Sequence, residues 1–317
     1  MAYGMNGHCA IGFQDSYGTS NVDSLHYFPM ISESINESIP PLLDEGMRGR
    51  FEEGESYEGP HDINGDLVTN IHPILFGKLL AAWCGQSSAD PVGSGCISHQ
   101  FIPKTSDFDE LAATPPCTIE IYRDAGSASL YYDMCLDALA VEFAHGALIK
   151  NTASWVGGKF SKAVKTSPTY LAGSSFTWDV TSISWNGVAI DEYENITVTF
   201  GNALEAKGTL NGSKYANRTK RSGYRTITIA GTILFINQTE VDLFRAQTKQ
   251  RLVITSKVGS NMIELDFPAM RYDEFPANIG GMGLISVGFS ATVKYHADSG
   301  TMFEGTVVNS QETYRGL

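Results

Sequence analysis

The sequence predicts a mainly β protein whose fold is duplicated along the chain. Three observations point there. Alternating or β-branched apolar runs are punctuated by Gly, Asn, Asp and Pro, only two stretches read firmly as helix, and one order of features occurs twice. The strand-like runs cover 118–122, 139–143, 182–185, 196–200, 226–236, 252–256, 262–267 and 284–295. Helix is predicted over 72–83 and 240–247. The second helix is expected to open on Thr239, with Asp242 where a capping box usually has Glu or Gln, and to turn Val241, Leu243 and Phe244 inward. A shorter helix is expected to begin at Ser106, with Asp107 and Asp109 favouring its first turn.

The repeat is read from matching landmarks. In the first half, Arg48-Gly49-Arg50 leads to a strand through Ile63–Leu67, a helix ending near Trp83, the strand at Thr118, Gly126-Ser127, and Gly146–Ile149 before a last strand. In the second half, Arg218–Arg221 leads to Ile229–Ile233, the helix at Glu240, the strand at Leu252, Gly259-Ser260, and Gly283–Ile285 before a last strand. The spacing differs because 85–116, rich in Gly, Ser and Pro, has no counterpart in the second half. Two domains are expected, 1–165 carrying the insertion 85–116 and 170–317, joined through 162–175. A chain of 317 residues is long enough for two cores.

Composition narrows the function. The chain has 22 Lys and Arg against 35 Asp and Glu, a net charge of -13, which disfavours tight binding to phosphate backbones. No apolar run approaches the 18 or more residues of a membrane span, and the N-terminus shows no secretion signal, so no membrane association is expected. Five scattered cysteines without a CxxC point to reduced, buried thiols. The seven histidines never stand at i, i+4, the acidic clusters 52–55 and 191–194 fit neither an EF-hand nor a glycosidase pair, and no GxSxG or HExxH occurs. No enzyme, metal or cofactor is therefore expected. The distinctive segments are two long polar excursions, 40–60 and 202–224, at matching places in the halves. Both mix Arg or Lys with aromatics, the composition of interface cores. Arg48, Arg50, Phe51 and Tyr57 in the first, and Lys214, Tyr215, Arg218 and Arg221 in the second, are the candidate inter-subunit or inter-ring residues.

Strings spread over nearly the whole chain carry a family resemblance: Gly12–Thr19, Ile31–Ile35, Arg48–Phe51, Tyr57–His61, Leu210–Tyr215, Phe244–Thr248 and Phe275–Gly281. In these the chain resembles the major tail tube proteins of long-tailed bacteriophages. The resemblance implies tandem tube domains, each a β-sandwich or barrel with a flanking α-helix and a long interface loop. It implies subunits that form stacked rings around a channel for the genome, in a virion tail assembled in the host cytoplasm. With two domains per chain, a trimer would make a pseudo-hexameric ring; a hexamer is the competing outcome. Implied partners are other copies of the chain, the tape measure, tail terminator and tail tip proteins, and DNA in transit. Acidic charge facing the lumen would keep that DNA from sticking. Two other classes are weighed: a glycan-binding or receptor-binding β-sandwich of a tail tip, whose four Trp and 14 Tyr could stack on sugars, and a hydrolase using Asp191, Glu192 and Glu194.

Overall fold

The structure is a computed structural model, and it describes all residues except 1, 20–24, 48, 50, 86, 94, 172, 279–281 and 315–317. The first half contains β1 (His8–Phe13), β2 (His26–Phe28), β3 (Ser32–Glu33), β4 (Asn36–Ser38), β5 (Leu42–Leu43), β6 (Ser56–Tyr57), β7 (Asp62–Asn70), α1 (Pro73–Cys84), β8 (Ser88–Gly93), β9 (Cys96–Phe101), β10 (Cys117–Tyr122), β11 (Ala128–Ala144), β12 (Lys150–Val156) and β13 (Lys159–Ala163). In the second half follow β14 (Thr181–Trp185), β15 (Val188–Ile190), β16 (Tyr193–Gly201), β17 (Leu204–Lys207), β18 (Arg218–Arg221), β19 (Thr226–Leu234), α2 (Thr239–Ala246), β20 (Gln250–Val258), β21 (Asn261–Glu274), β22 (Ser286–Val293) and β23 (Glu304–Asn309). The chain is mainly β, as its apolar periodicity requires, and every predicted strand run falls on one of these strands.

Strand pairing repeats between the halves. The ladders β1–β2, β1–β10, β10–β11, β11–β12, β11–β13 and β7–β12 have antiparallel counterparts in β14–β15, β14–β20, β20–β21, β21–β22, β21–β23 and β19–β22. The short strands β3 and β4 together line β7 as β16 lines β19. Gly126 and Gly259 both supply positive φ in the hairpins that join β10 to β11 and β20 to β21. A side chain on Gly65 in β7 would meet Ser34 and Ile35, and one on Gly231 in β19 would meet Asn195, so both strands need glycine to lie against their neighbours.

The two halves are not separate bodies of packing. One apolar core cluster takes residues from both. At its centre Trp83, on α1 of the first half, stands edge-on to Phe200 of β16 at 5.1 Å, and Phe200 meets Phe303 at 4.9 Å. The insertion explains part of this sharing: β8 and β9 form a hairpin, and β9 pairs along β23 from Ile97 opposite Asn309 to Phe101 opposite Gly305.

The helices differ in environment. In α1 the His72 side chain accepts from the Ile74 amide, Pro73 supplies the pre-set first turn, and Gly85 closes the end at φ 82°. Its faces are buried almost all round, and even Lys78 is inside, donating to the Ile11 carbonyl at 3.2 Å. The second helix is amphipathic: Val241 is buried, with Leu243 and Phe244 packed against the core. Its start departs from the expected capping box. Thr239 is already helical, and Asn237 Oδ1 accepts from the Thr239 amide at 2.8 Å. The helix expected at Ser106 is absent, because its two acids act elsewhere. Asp109 closes a turn by accepting from the Leu111 and Ala112 amides, and Asp107 binds Lys220 and Arg221 of β18.

Candidate assembly interface

Each of the two excursions carries a short two-stranded ribbon. In the first, Leu42 and Leu43 pair with Tyr57 and Ser56, making a two-strand arm joined to neither sheet face. The four residues of this ladder are all exposed, as are Met47 and Phe51 near the tip, both without cover at full exposure. In the second arm β17 pairs with β18, Leu204 opposite Arg221 and Lys207 opposite Arg218.

The predicted interface residues divide accordingly. Phe51 stands free in solvent, and Tyr57 is half exposed with its hydroxyl 3.3 Å from Glu55. Arg48 and Arg50 lie outside the described residues. The second group is committed within the chain to a greater degree. Lys214 forms an ion pair with Glu58, and its carbonyl accepts from the His61 amide at 2.9 Å. The Tyr215 ring lies 4.7 Å from the His61 ring, and burial pushes its hydroxyl pKa up to about 12. Arg221 binds Asp107 at 2.8 Å, and desolvation lowers its pKa. Arg218 remains exposed at the end of β18. The second arm therefore braces the base of the first.

That brace centres on His61. Its Nδ1 is 2.7 Å from Glu37 and its Nε2 is 2.6 Å from Glu58. Hydrogen bonds to the two carboxylates raise its pKa, and Lys214 and His61 together lower that of Glu58.

The sheet carries a second kind of interface. The C-terminal part of β11 pairs on one side with β12 and on the other with β16 of the second half, from Ala138 opposite Gly201 to Ala144 opposite Asn195. This ladder joins the halves through different surfaces: the end of a long central strand on one and the outer edge of an arm-bearing strand on the other. In the repeat, the counterpart of β16 is β3–β4, and the counterpart of the end of β11 is the end of β21. Among the described residues, β3 and β4 pair only with β7, and Arg271–Glu274 of β21 pairs only with β22. Among the described residues the chain thus pairs the end of β11 with β16, while the corresponding edges, β3–β4 and the end of β21, are not paired with one another.

The β3–β4 edge is held in shape by a group that the sequence reading missed. Arg123, in the turn after β10, forks onto Glu33 at 2.6 and 2.8 Å and donates to the Ile35 carbonyl at 2.7 Å. Its pKa is raised by the Glu33 carboxylate. The length of the run around β11 was the available signal for the junction, since a 17-residue strand outlasts any single partner.

A sequence model of the phage tail tube protein family matches residues 4–297. The chain belongs to the phage tail tube protein family. No curated protein matches it in a search of whole sequences. Family membership makes the chain a structural component of the virion tail. Among the described residues no group of three His, Cys, Asp or Glu is arranged to hold a metal ion, and no helix is long and apolar enough to cross a membrane. All five cysteines are buried thiols, and burial pushes the Cys135 thiol up to about 12.

Proposed function

We propose that this tail tube protein closes trimeric, pseudo-hexameric rings and that the rings stack head to tail into a hollow conduit for genome ejection. In this reading 1–165 and 170–317 are two versions of one ring-forming domain. The observation that carries it is the β11–β16 ladder. A contact between two unlike surfaces of two similar domains repeats around an axis until it closes or runs on as a helix. Each chain already contains one such step, and the end of β21 with the β3–β4 edge of a neighbour supplies the next. Pairing of edges turns an aggregation hazard into assembly, and it also explains why these edges carry no covering element.

Stacking falls to the arms, with Phe51 and Tyr57 reaching beyond the sheet and Arg48 and Arg50 adding charge at the tip. Lys214 and Tyr215 act at one remove, by fixing the arm base, and Arg221 ties β18 to Asp107, while Arg218 is free to reach a neighbour. The net charge of -13 suits a conduit along which DNA slides without adhering. The role is architectural, with no reaction to catalyse; the tape measure, tail terminator and tail tip proteins are the other partners, and assembly takes place in the host cytoplasm. Negative-stain electron microscopy of the purified protein over a range of concentrations tests the reading. Hollow filaments with three-fold end views are expected. Six chains per ring would replace the trimer, and compact particles at every concentration, even with tail-tip complexes added as initiators, would overturn the tube.

A further inference from the structure

After β23 the chain returns to the first helix of its first half. Residues 310–313 cross the surface with little cover, and Tyr314 is then buried to 4% exposure. Its slot is cut in α1. A side chain on Gly77 would collide with the Tyr314 ring, so a glycine that costs a helix interior about 0.5 to 1 kcal/mol makes room for one aromatic. The Tyr314 hydroxyl donates to the Pro73 carbonyl at 3.4 Å and accepts from the Asn309 side chain, whose Oδ1 accepts from the Gln311 amide at 2.8 Å. The facing wall is His99 of β9, which is fully buried. Its ring meets Tyr314 edge-on at 4.6 Å, and its Nε2 donates to the Gln311 carbonyl at 2.8 Å, while its Nδ1 is buried without a hydrogen-bond partner. The elements around His99 bring no charge to it. Ala89 of β8 and Val307 of β23 lie opposite it in the two ladders, and Lys78 of α1 is turned to the Ile11 carbonyl. On the strap, Glu312 is exposed, and burial raises the Tyr314 pKa and so keeps its hydroxyl protonated.

We propose that residues 310–314 form an acid-released latch, in which Tyr314 seated in the Gly77 slot fastens the end of the second half to α1 and neutral His99 holds it shut. A second proton on His99 goes to Nδ1, where the buried charge would have neither an acceptor nor a counter-ion. Lifting the strap removes Tyr314 and Gln311 from the ring and lets water reach it, so the open form takes the proton more readily. Burial accordingly lowers the His99 pKa below 6.5 in the closed form. Closure is therefore complete above 6.5, weakens as pH falls through that value, and weakens no further below the closed-form pKa. Because Tyr314 is the one buried residue of the described strap, opening gives up the packing of a single side chain and leaves the sheets and the shared core in place.

Hydrogen exchange of the full chain, read by mass spectrometry between about pH 5 and pH 8 and corrected for the intrinsic exchange rate, tests the latch. The open fraction of the strap peptide should be constant above neutrality and rise by up to about tenfold per pH unit below 6.5, while β11 stays protected. His99→Gln keeps an N–H for the Gln311 carbonyl and cannot titrate, so its strap should stay closed throughout. Gly77→Ala fills the slot and should leave the strap open at every pH. A wild-type strap that ignores pH, one that responds equally in His99→Gln, or a loss of protection shared by β11 would overturn the latch. Histidine NMR of the wild type checks it without a variant: His99 should titrate below 6.5, and a titration at or above that value would overturn it.

Discussion

At the residue scale, the shared core rests on a few side chains that tie the halves together. Trp83 is fully buried against Phe200 and Phe303, and the Arg225 guanidinium lies 4.9 Å from its ring. Arg225 is held by the Asn202 side chain at 2.9 Å and the Lys104 carbonyl at 3.3 Å, and burial lowers its pKa to about 10. Asn202 in turn donates to the carbonyls of Trp83 and Leu136. Trp83→Ala removes the ring that α1 offers to the second half, so it should cost about 3 to 5 kcal/mol. Chemical denaturation should report that loss in a single transition, since the core is common; two separated transitions would mean that the halves unfold independently.

His61 gives a prediction with a sign. Its pKa is raised above 6.5 in the folded chain by Glu37 and Glu58, so its contribution is complete below the unfolded-chain value and is lost as pH rises through the folded one. The base of the first arm should therefore loosen on the alkaline side. Histidine NMR should find a titration above 6.5, with faster hydrogen exchange of the His61 amide, the donor to Lys214, once the ring is neutral. A titration below 6.5 would remove the brace.

At the element scale, the arms separate folding from stacking. The ladder β5–β6 pairs with no other strand, and among the described residues the first arm is held mainly at its base through Glu58 and His61. Deleting 41–57 should leave a folded protein that still closes rings but builds no long tubes. Sedimentation velocity and electron microscopy read the two properties separately, and normal tubes from the deletion would take the arm out of the mechanism. Much of this level was legible in the sequence. The Gly126 and Gly259 turns, the helices at 73 and 239, and the insertion after α1 all left local signals, because a turn needs positive φ and a buried helix needs a long apolar run. Other elements left none. Strand β1 (His8–Phe13) is buried at every position, so it shows no alternation, and β8 contains Pro91 and Gly93 and is exposed throughout. The Ser106 helix failed because Asp107 and Asp109 read as helix-start residues whichever backbone they serve. Of the candidate site, the arms were visible as long aromatic-bearing excursions, whereas the edge held by Arg123 depends on residues far apart in sequence and left no local pattern.

At the scale of the whole molecule, the decisive feature is that, among the described residues, the chain closes the β11–β16 junction and leaves the matching edges, β3–β4 and the end of β21, open. The closed one places Val141 opposite Val198 and Phe143 opposite Ile196, apolar pairs at the heart of a continuous sheet. The open one has Asn36 and Ser38 exposed on one edge and Asp273 and Glu274 exposed on the other. These edges are polar and contain no proline, and the register shift between Tyr272 and Glu274 lies in the ladder that β21 makes with β22. Because β4 and the end of β21 would meet only between copies, carboxylates added to β4 act on assembly and not on the fold. Asn36→Glu with Ser38→Glu brings like charges toward Asp273 and Glu274, so it should leave the melting temperature within about 1 °C of wild type, as exposed substitutions usually do, while shifting the protein from rings to monomers. The loss should ease at high salt, where repulsion between exposed charges is screened. Mass photometry across a salt series reads both effects. Rings of unchanged stability in the double variant would place the ring contact elsewhere and would break the equivalence drawn between the β11–β16 ladder and the contact between chains.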